Sequence, residues 1–167
     1  QLENKNEYIE PYKNHNKNQI VKIEHISRYI FARDIIQKRF DKQTRLLDLG
    51  CGSGYGTEIL SKAVDRAVGL DKNNGILQKC KSIYSSDNID FIKHDLEKSL
   101  DNLDVEIADK IDIVVAFEVL EHLNNPNNMV KSVQEILSDN GLFIGSVPNA
   151  KFESLDEKGK PKNPYHK

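Results

Sequence analysis

Leu46-Leu47-Asp48-Leu49-Gly50-Cys51-Gly52-Ser53-Gly54-Tyr55-Gly56 decides the fold of this chain. An apolar, strand-like run meets an acid, and four glycines then stand at alternate positions. Glycine lacks a Cβ, so such a loop turns sharply at a strand end and lets a ligand approach the backbone. Thr57-Glu58-Ile59-Leu60 continues as the start of a helix. Strand, glycine loop and helix in that order make the nucleotide-binding arrangement of open α/β sheets. The spacing excludes two versions of it. A G-x-G-x-x-G fingerprint begun at Gly50 needs glycine where Tyr55 stands, and one begun at Gly52 needs it at Thr57. A phosphate loop needs Gly-Lys-Ser/Thr, and no lysine lies here. Asp48, two residues before the first glycine, would repel a pyrophosphate but suits an ammonium group.

Later segments agree with this start. Ala67-Val68-Gly69-Leu70-Asp71 is a short apolar strand ending in an acid, roughly 20 residues past the first glycine. At that spacing a carboxylate accepts hydrogen bonds from ribose hydroxyls, and the same acid can cap the next helix. Ile89-Asp90-Phe91-Ile92-Lys93-His94-Asp95 predicts a third strand, again ending in an acid. Ile111 to Glu118 predicts a fourth, apolar enough to be buried on both faces. Gly141 to Pro148 predicts a fifth, ended by proline.

This order of motifs resembles that of the class I S-adenosylmethionine methyltransferases, over residues 45–148. The resemblance implies an α/β, Rossmann-like, doubly wound parallel sheet and S-adenosylmethionine as cofactor. Carried over position by position, it implies cofactor contacts from Asp48, Gly50, Cys51, Gly52, Gly54 and Tyr55 in the loop and from Asp71 and Lys72 after the second strand. After the third strand it implies His94, Asp95 at the adenine amino group and the Leu96 amide facing the ring, and at the end of the fourth Phe117. Cys51 occupies a place where a small residue is wanted.

Helices are predicted over 20–40, 55–63, 73–84 and 126–138. In the first, Ile23, Ile26 and Ile30 fall on one face. The last opens on Asn125 as N-cap with Pro126 at the first helical position. Val130, Val133 and Leu137 form its apolar stripe, and Asn140-Gly141 supplies its stop. The acidic segment 97–110 reads as a loop with a helical turn. Residues 1–19 read as a flexible polar segment, 20–150 as the nucleotide-binding domain, and 151–167 as a polar end. The family's full sheet has seven strands, the last two an antiparallel hairpin. After Pro148 only 19 residues remain, with no strand pattern. About five strands are therefore expected, the fifth as an open edge. Either the chain is part of a longer one, or a second copy or partner covers that edge.

Composition narrows the function classes. The chain of 167 residues carries 24 Lys and Arg against 26 Asp and Glu, so it lacks the basic footprint of a nucleic-acid binder. No apolar run is long enough to span a membrane. Cys51 and Cys80 have no metal-like spacing and read as reduced thiols. No secretory leader is visible. A cytoplasmic location follows as an expectation.

The fourth strand runs into Phe117-Glu118-Val119-Leu120-Glu121-His122-Leu123. This is similar to the Glu-x-x-Glu-His element of ubiquinone-biosynthesis O-methyltransferases and of small-RNA 3′-terminal 2′-O-methyltransferases. The resemblance implies that Glu118, Glu121 and His122 hold a divalent cation (Mg, Mn or Zn), with His166 of Asn163-Pro164-Tyr165-His166 as a further ligand. Such a cation would orient a hydroxyl and lower its pKa. The alternative is His122 as a general base without metal, with Glu121 beside it. His25-x-x-Arg28-Tyr29-x-Phe31-Ala32 looks like bacterial methyltransferases found beside glycosyltransferases, which implies a sugar hydroxyl as acceptor. Arg28 reads either as the partner of the cofactor carboxylate or as an exposed helix charge. His25 reads as structural or substrate-lining. The expected function is methylation of a hydroxyl on a sugar or other small molecule. Alternatives are a phenolic acceptor of the ubiquinone type, an RNA 3′ end, which the charge disfavours, and a catalytically silent binding module. The glycine spacing argues against an oxidoreductase.

Overall fold

A computed structural model describes residues 19–41, 43–84, 86–103 and 110–149. Five parallel strands form one sheet in the order β3-β2-β1-β4-β5. They are β1 Arg45–Leu49, β2 Arg66–Asp71, β3 Ile89–Lys93, β4 Ile111–Phe117 and β5 Leu137–Ser146. The chain steps outward from β1 through β2 to β3, then returns to place β4 on the other side of β1. The reversal leaves a crevice at the carboxyl ends of β1 and β4, where open α/β sheets bind their ligands. The α/β, Rossmann-like expectation therefore holds. The conclusions drawn from residues 1–18 and 150–167, including those on His166, fall outside the described residues.

Strand alternation sorts the core into two faces. Leu46 joins Ile113, Val115 and Phe117 under helices α1 (Gln19–Arg39) and α2 (Tyr55–Ser61). Leu47 and Leu49 join Val114 and Ala116 over Met129 and Val133 of α4 (Pro126–Ile136). β4 is buried along nearly its whole length, as its continuous apolar run requires. Helix α3 (Asn74–Ile83) seals the outer part of the sheet through Leu77 and Cys80 against Phe91.

Two corrections concern how elements meet. The buried stripe of α1 is Tyr29, Ala32 and Ile36, with Ile26 at its border. Ile23 and Ile30, expected on that face, are 65% and 38% exposed. At ~100° per residue they stand roughly 140–160° round the helix from the Ala32–Ile36 stripe. Tyr29 decides the orientation, because its ring enters the core between Tyr55 and Phe117. The second correction is at the end of α4. Asn125 caps it as expected, its side chain accepting from the Asn128 amide, but the helix stops at Ile136. Leu137 already pairs with Ile111, and the ladder resumes at Leu142 opposite Ile113. The stretch 138–141 is thus a bulge inside the strand rather than a helix stop followed by a loop.

The segment 97–110 contributes a single 3-10 turn, Leu100–Asn102, among its described residues. No helix among the described residues is long and apolar enough to cross a membrane.

Candidate functional site

The glycine loop joins β1 to α2 through three residues of positive φ: Gly50 (69°), Gly52 (52°) and Gly54 (80°). Gly54 shows why the residue type matters. It stands at the N-cap of α2 in the left-handed region. A Cβ there would meet Cys80 Sγ and Phe91 Cε1, both at 2.9 Å. Backbone conformation and packing therefore both demand glycine.

The loop is strapped to its neighbours. The Cys51 amide donates to Leu70 O at 2.9 Å, tying the loop to the end of β2. The Gly52 amide donates to Asp71 Oδ2 at 3.1 Å, while Asp71 Oδ1 accepts from the Asn73 amide at 2.8 Å. Asn73 in turn caps α3 through the amides of Gly75 and Ile76. Asp71 thus lies where β2 ends, beside the glycine turn, and each of its oxygens can accept more than one hydrogen bond. From behind, the Cys80 thiol donates to Gly52 O at 3.4 Å. Burial, followed by the charge of Asp71, pushes that thiol up to about 11.

Asp48 has internal partners. Strand alternation turns its side chain into the α1 and α2 face, where it is fully buried. Thr57 Oγ1 donates to Oδ2 at 2.6 Å and Tyr29 Oη donates to Oδ1 at 3.4 Å. Burial raises its pKa to about 7; the two hydroxyls oppose the shift and the Asp71 charge adds to it. The Tyr29 ring stands edge-on to Tyr55 and Phe117, at centroid distances of 5.5 and 5.0 Å.

The remaining candidates spread around the crevice. Lys72 is exposed beside Asp71. The His94 amide donates to Asp71 O at 3.0 Å, and its Nε2 is buried with no hydrogen-bond partner among the described residues. Asp95 is exposed, and its Oδ1 accepts from the Glu97 amide at 3.2 Å. Leu96 packs on the second core face.

At the end of β4, Glu118 has a φ of 56°. Its amide donates to Ser146 O at 3.0 Å, and Ser146 Oγ donates to its Oε1 at 2.7 Å. Arg28 Nη2 lies 3.7 Å from the same oxygen. His25, a turn earlier on α1, has its pKa lowered by burial and then by the Arg28 charge, against the opposing pull of Glu118 and Glu24. Leu120–His122 form a 3-10 turn that sets His122 Nε2 4.0 Å from Glu121 Oε1. An open cavity of about 410 Å³ lies there, lined by Leu120, Glu121, Leu123, Asn124, Pro126 and Val147.

Among the described residues, no three His, Cys, Asp or Glu side chains converge to hold a metal ion. The partners of Glu118 are Ser146 and Arg28, while His122 faces Glu121. Sequence reading missed Thr57, Ser146 and Cys80, because each takes its role from a partner on another segment of the chain. Tyr29 was within the quoted α1 motif, and an aromatic residue beside a candidate arginine was the available signal.

Comparison with known proteins agrees with this fold. Residues 23–166 match the model of a methyltransferase domain. The ubiquinone biosynthesis O-methyltransferase of Ruegeria pomeroyi is 30% identical over 133 residues, covering 77% of this chain and 52% of that protein. The enzyme of the same name from Histophilus somni is 26% identical over 115 residues, covering 67% and 48%. The chain spans about half the length of the curated relatives it matches. Solved structures share the fold, two of them as follows. The YcgJ protein of Bacillus subtilis has a TM-score of 0.63 at 20% identity, covering 72% of this chain and 50% of that one. CalS10, an amino pentose methyltransferase of Micromonospora echinaspora with S-adenosylmethionine bound, has a TM-score of 0.60 at 16% identity, covering 83% and 60%.

Proposed function

The chain belongs to the methyltransferase-domain family, and we propose that it transfers a methyl group from S-adenosylmethionine to a hydroxyl oxygen of a sugar or another small molecule. One observation carries the cofactor reading. A turn of three left-handed glycines sits at the sheet's reversal point, with Asp71 gripping one of its amides from the neighbouring strand. The cradle fits the group: the glycine turn holds no room for a Cβ at Gly50 or Gly54, which would strike Val119 or Cys80 and Phe91, and a buried Arg28 nitrogen lacks a hydrogen-bond partner among the described residues.

In this reading Asp71 accepts from the ribose hydroxyls, with Lys72 beside it. Asp95, His94 and the Leu96 amide surround the adenine. The loop from Gly50 to Tyr55 carries the amino-acid tail, and Phe117 closes the crevice beside Tyr29. Asp48 holds the loop from inside through Thr57. The bound cofactor supplies a methyl group already activated by its sulfonium. The protein's own task is to set an acceptor oxygen in line, at near-attack distance of ~3–3.5 Å. His122 takes the hydroxyl proton as general base, with Glu121 orienting the imidazole. Among the described residues Glu118 does not converge with Glu121 and His122, so the proton is assigned to His122 itself.

A sugar acceptor is supported by the motif in α1, and a phenolic acceptor by the relatives in ubiquinone biosynthesis. β5 is one of the two outer strands of the described sheet, and a second copy or partner seated along it belongs to the same proposal. The buried free thiols Cys51 and Cys80 suit a reducing, cytoplasmic setting. The test is thermal unfolding with S-adenosylhomocysteine and with NAD, followed by transfer of labelled methyl to panels of sugars, phenols and RNA ends. Stabilisation by the first ligand alone, with label on a sugar, is expected. Stabilisation by NAD alone refutes the reading, and stabilisation with no transfer to any panel marks a silent binding module.

A further inference from the structure

Glu118 is the one residue other than glycine with a positive φ among those described. A side chain rarely occupies that region, and such a conformation persists only where the surroundings over-determine it. Here Ser146 does so twice. Its carbonyl takes the Glu118 amide at 3.0 Å, and its hydroxyl donates to Glu118 Oε1 at 2.7 Å. From this backbone the carboxylate reaches α1. There it meets Arg28 Nη2 at 3.7 Å, inside ion-pair range but longer than a hydrogen bond.

Arg28 is therefore oriented but not saturated. Its Nη1 is buried without a hydrogen-bond partner among the described residues. A guanidinium nitrogen left in that state is costly unless an acceptor arrives. Its position limits what that acceptor is. Tyr29, the next residue, reaches Asp48 at the root of the glycine loop and stacks edge-on against Phe117 at the end of β4. Burial and the Arg28 charge lower the His25 pKa against the pull of Glu118 and Glu24, which leaves Arg28 the stronger cation of the two.

We propose that Glu118 and Ser146 are positioning residues for Arg28, holding its guanidinium so that Nη1 meets the carboxylate of the cofactor's amino-acid tail. The inference rests on the cofactor reading above and adds a role for two residues outside the cofactor set. It also removes Glu118 from the acceptor side. A guanidinium N–H must point at its acceptor, since a hydrogen bond weakens steeply as its angle falls, so a rotation of Arg28 forfeits much of the contact.

The test compares S-adenosylmethionine with its decarboxylated form, which keeps the sulfonium and the amine. Dissociation constants for both are measured by calorimetry on wild type, Arg28→Ala, Glu118→Gln and Ser146→Ala, alongside unliganded unfolding temperatures. Wild type is expected to prefer the carboxylated ligand by roughly 10- to 100-fold, the range of a hydrogen bond to a charged group. Arg28→Ala erases that preference. Glu118→Gln and Ser146→Ala each shrink it by roughly 3- to 10-fold while the decarboxylated ligand binds within about twofold of wild type. Ser146→Ala carries the test alone if Glu118→Gln does not fold. An unchanged preference in both variants overturns the proposal, as does equal weakening of both ligands, which marks a mere strap between α1 and the sheet. Wild type binding neither ligand removes the cofactor reading and this inference with it.

Discussion

Replacing Asp48 by Asn is expected to reverse its effect on stability between acid and neutral pH. Burial raises the Asp48 pKa from 3.8 to about 7 in the folded chain. Between those values the folded state holds a proton that the unfolded state has lost. Stability therefore falls as pH rises through this window and levels off above it. A shift of roughly three units, at about 1.4 kcal/mol each, sets a ceiling near 4 kcal/mol. Asn carries no such dependence. Its amide can accept one hydroxyl and donate to the other, since Thr57 and Tyr29 both offer donor and acceptor. The exchange of hydrogen bonds costs about 1 kcal/mol at acid pH. Asp48→Asn should thus be the less stable protein near pH 4 and the more stable one near pH 8, with the curves crossing between. Urea unfolding at half-unit pH steps measures this, and at ~2 kcal/mol per molar the ceiling is a midpoint change of about 2 M. Groups titrating elsewhere cancel in the difference between the two proteins. Parallel curves from pH 4 to 8 would refute the burial argument.

Gly54→Ala places a Cβ against Cys80 and Phe91 in a left-handed backbone, and should cost about 2–4 kcal/mol in urea unfolding; a loss below about 0.5 kcal/mol would show that the loop relaxes freely. Asp71→Asn keeps an acceptor for one loop amide but loses the charge, and should weaken S-adenosylhomocysteine binding roughly 10-fold by calorimetry, the scale of a charged hydrogen bond. Cys80 is 1% exposed with its thiol pushed up to about 11, so a disulfide reagent at pH 8 should label it only after unfolding in urea; rapid labelling of the folded chain would contradict its placement behind the loop. Asn125→Ala should lower stability by about 1 kcal/mol through loss of the α4 cap.

Local chemistry made much of this protein legible. Five strands and four helices came from apolar runs, turn residues and caps, because each depends on neighbours close in the chain. Asn73 and Asn125 cap helices as their side chains dictate. The end of α4 was misread, since Asn140-Gly141 looks like a helix stop, while pairing of Leu137 with Ile111 ends the helix sooner. The facing of α1 was misread for a similar reason. Three isoleucines signal an apolar face, but a tyrosine that reaches a buried acid outweighs them.

The site divides along the same line. By itself the chain of residues determined a glycine turn after β1, an acid at the end of β2 and an acid-rich segment after β4, since backbone strain and strand ends are local properties. Only the tertiary structure decided what those acids face. Asp48 is claimed by Thr57 and Tyr29, and Glu118 by Ser146 and Arg28, partners contributed by other segments of the chain. A carboxylate's role follows from the donors that packing brings to it, and strand order with helix rotation sets that packing.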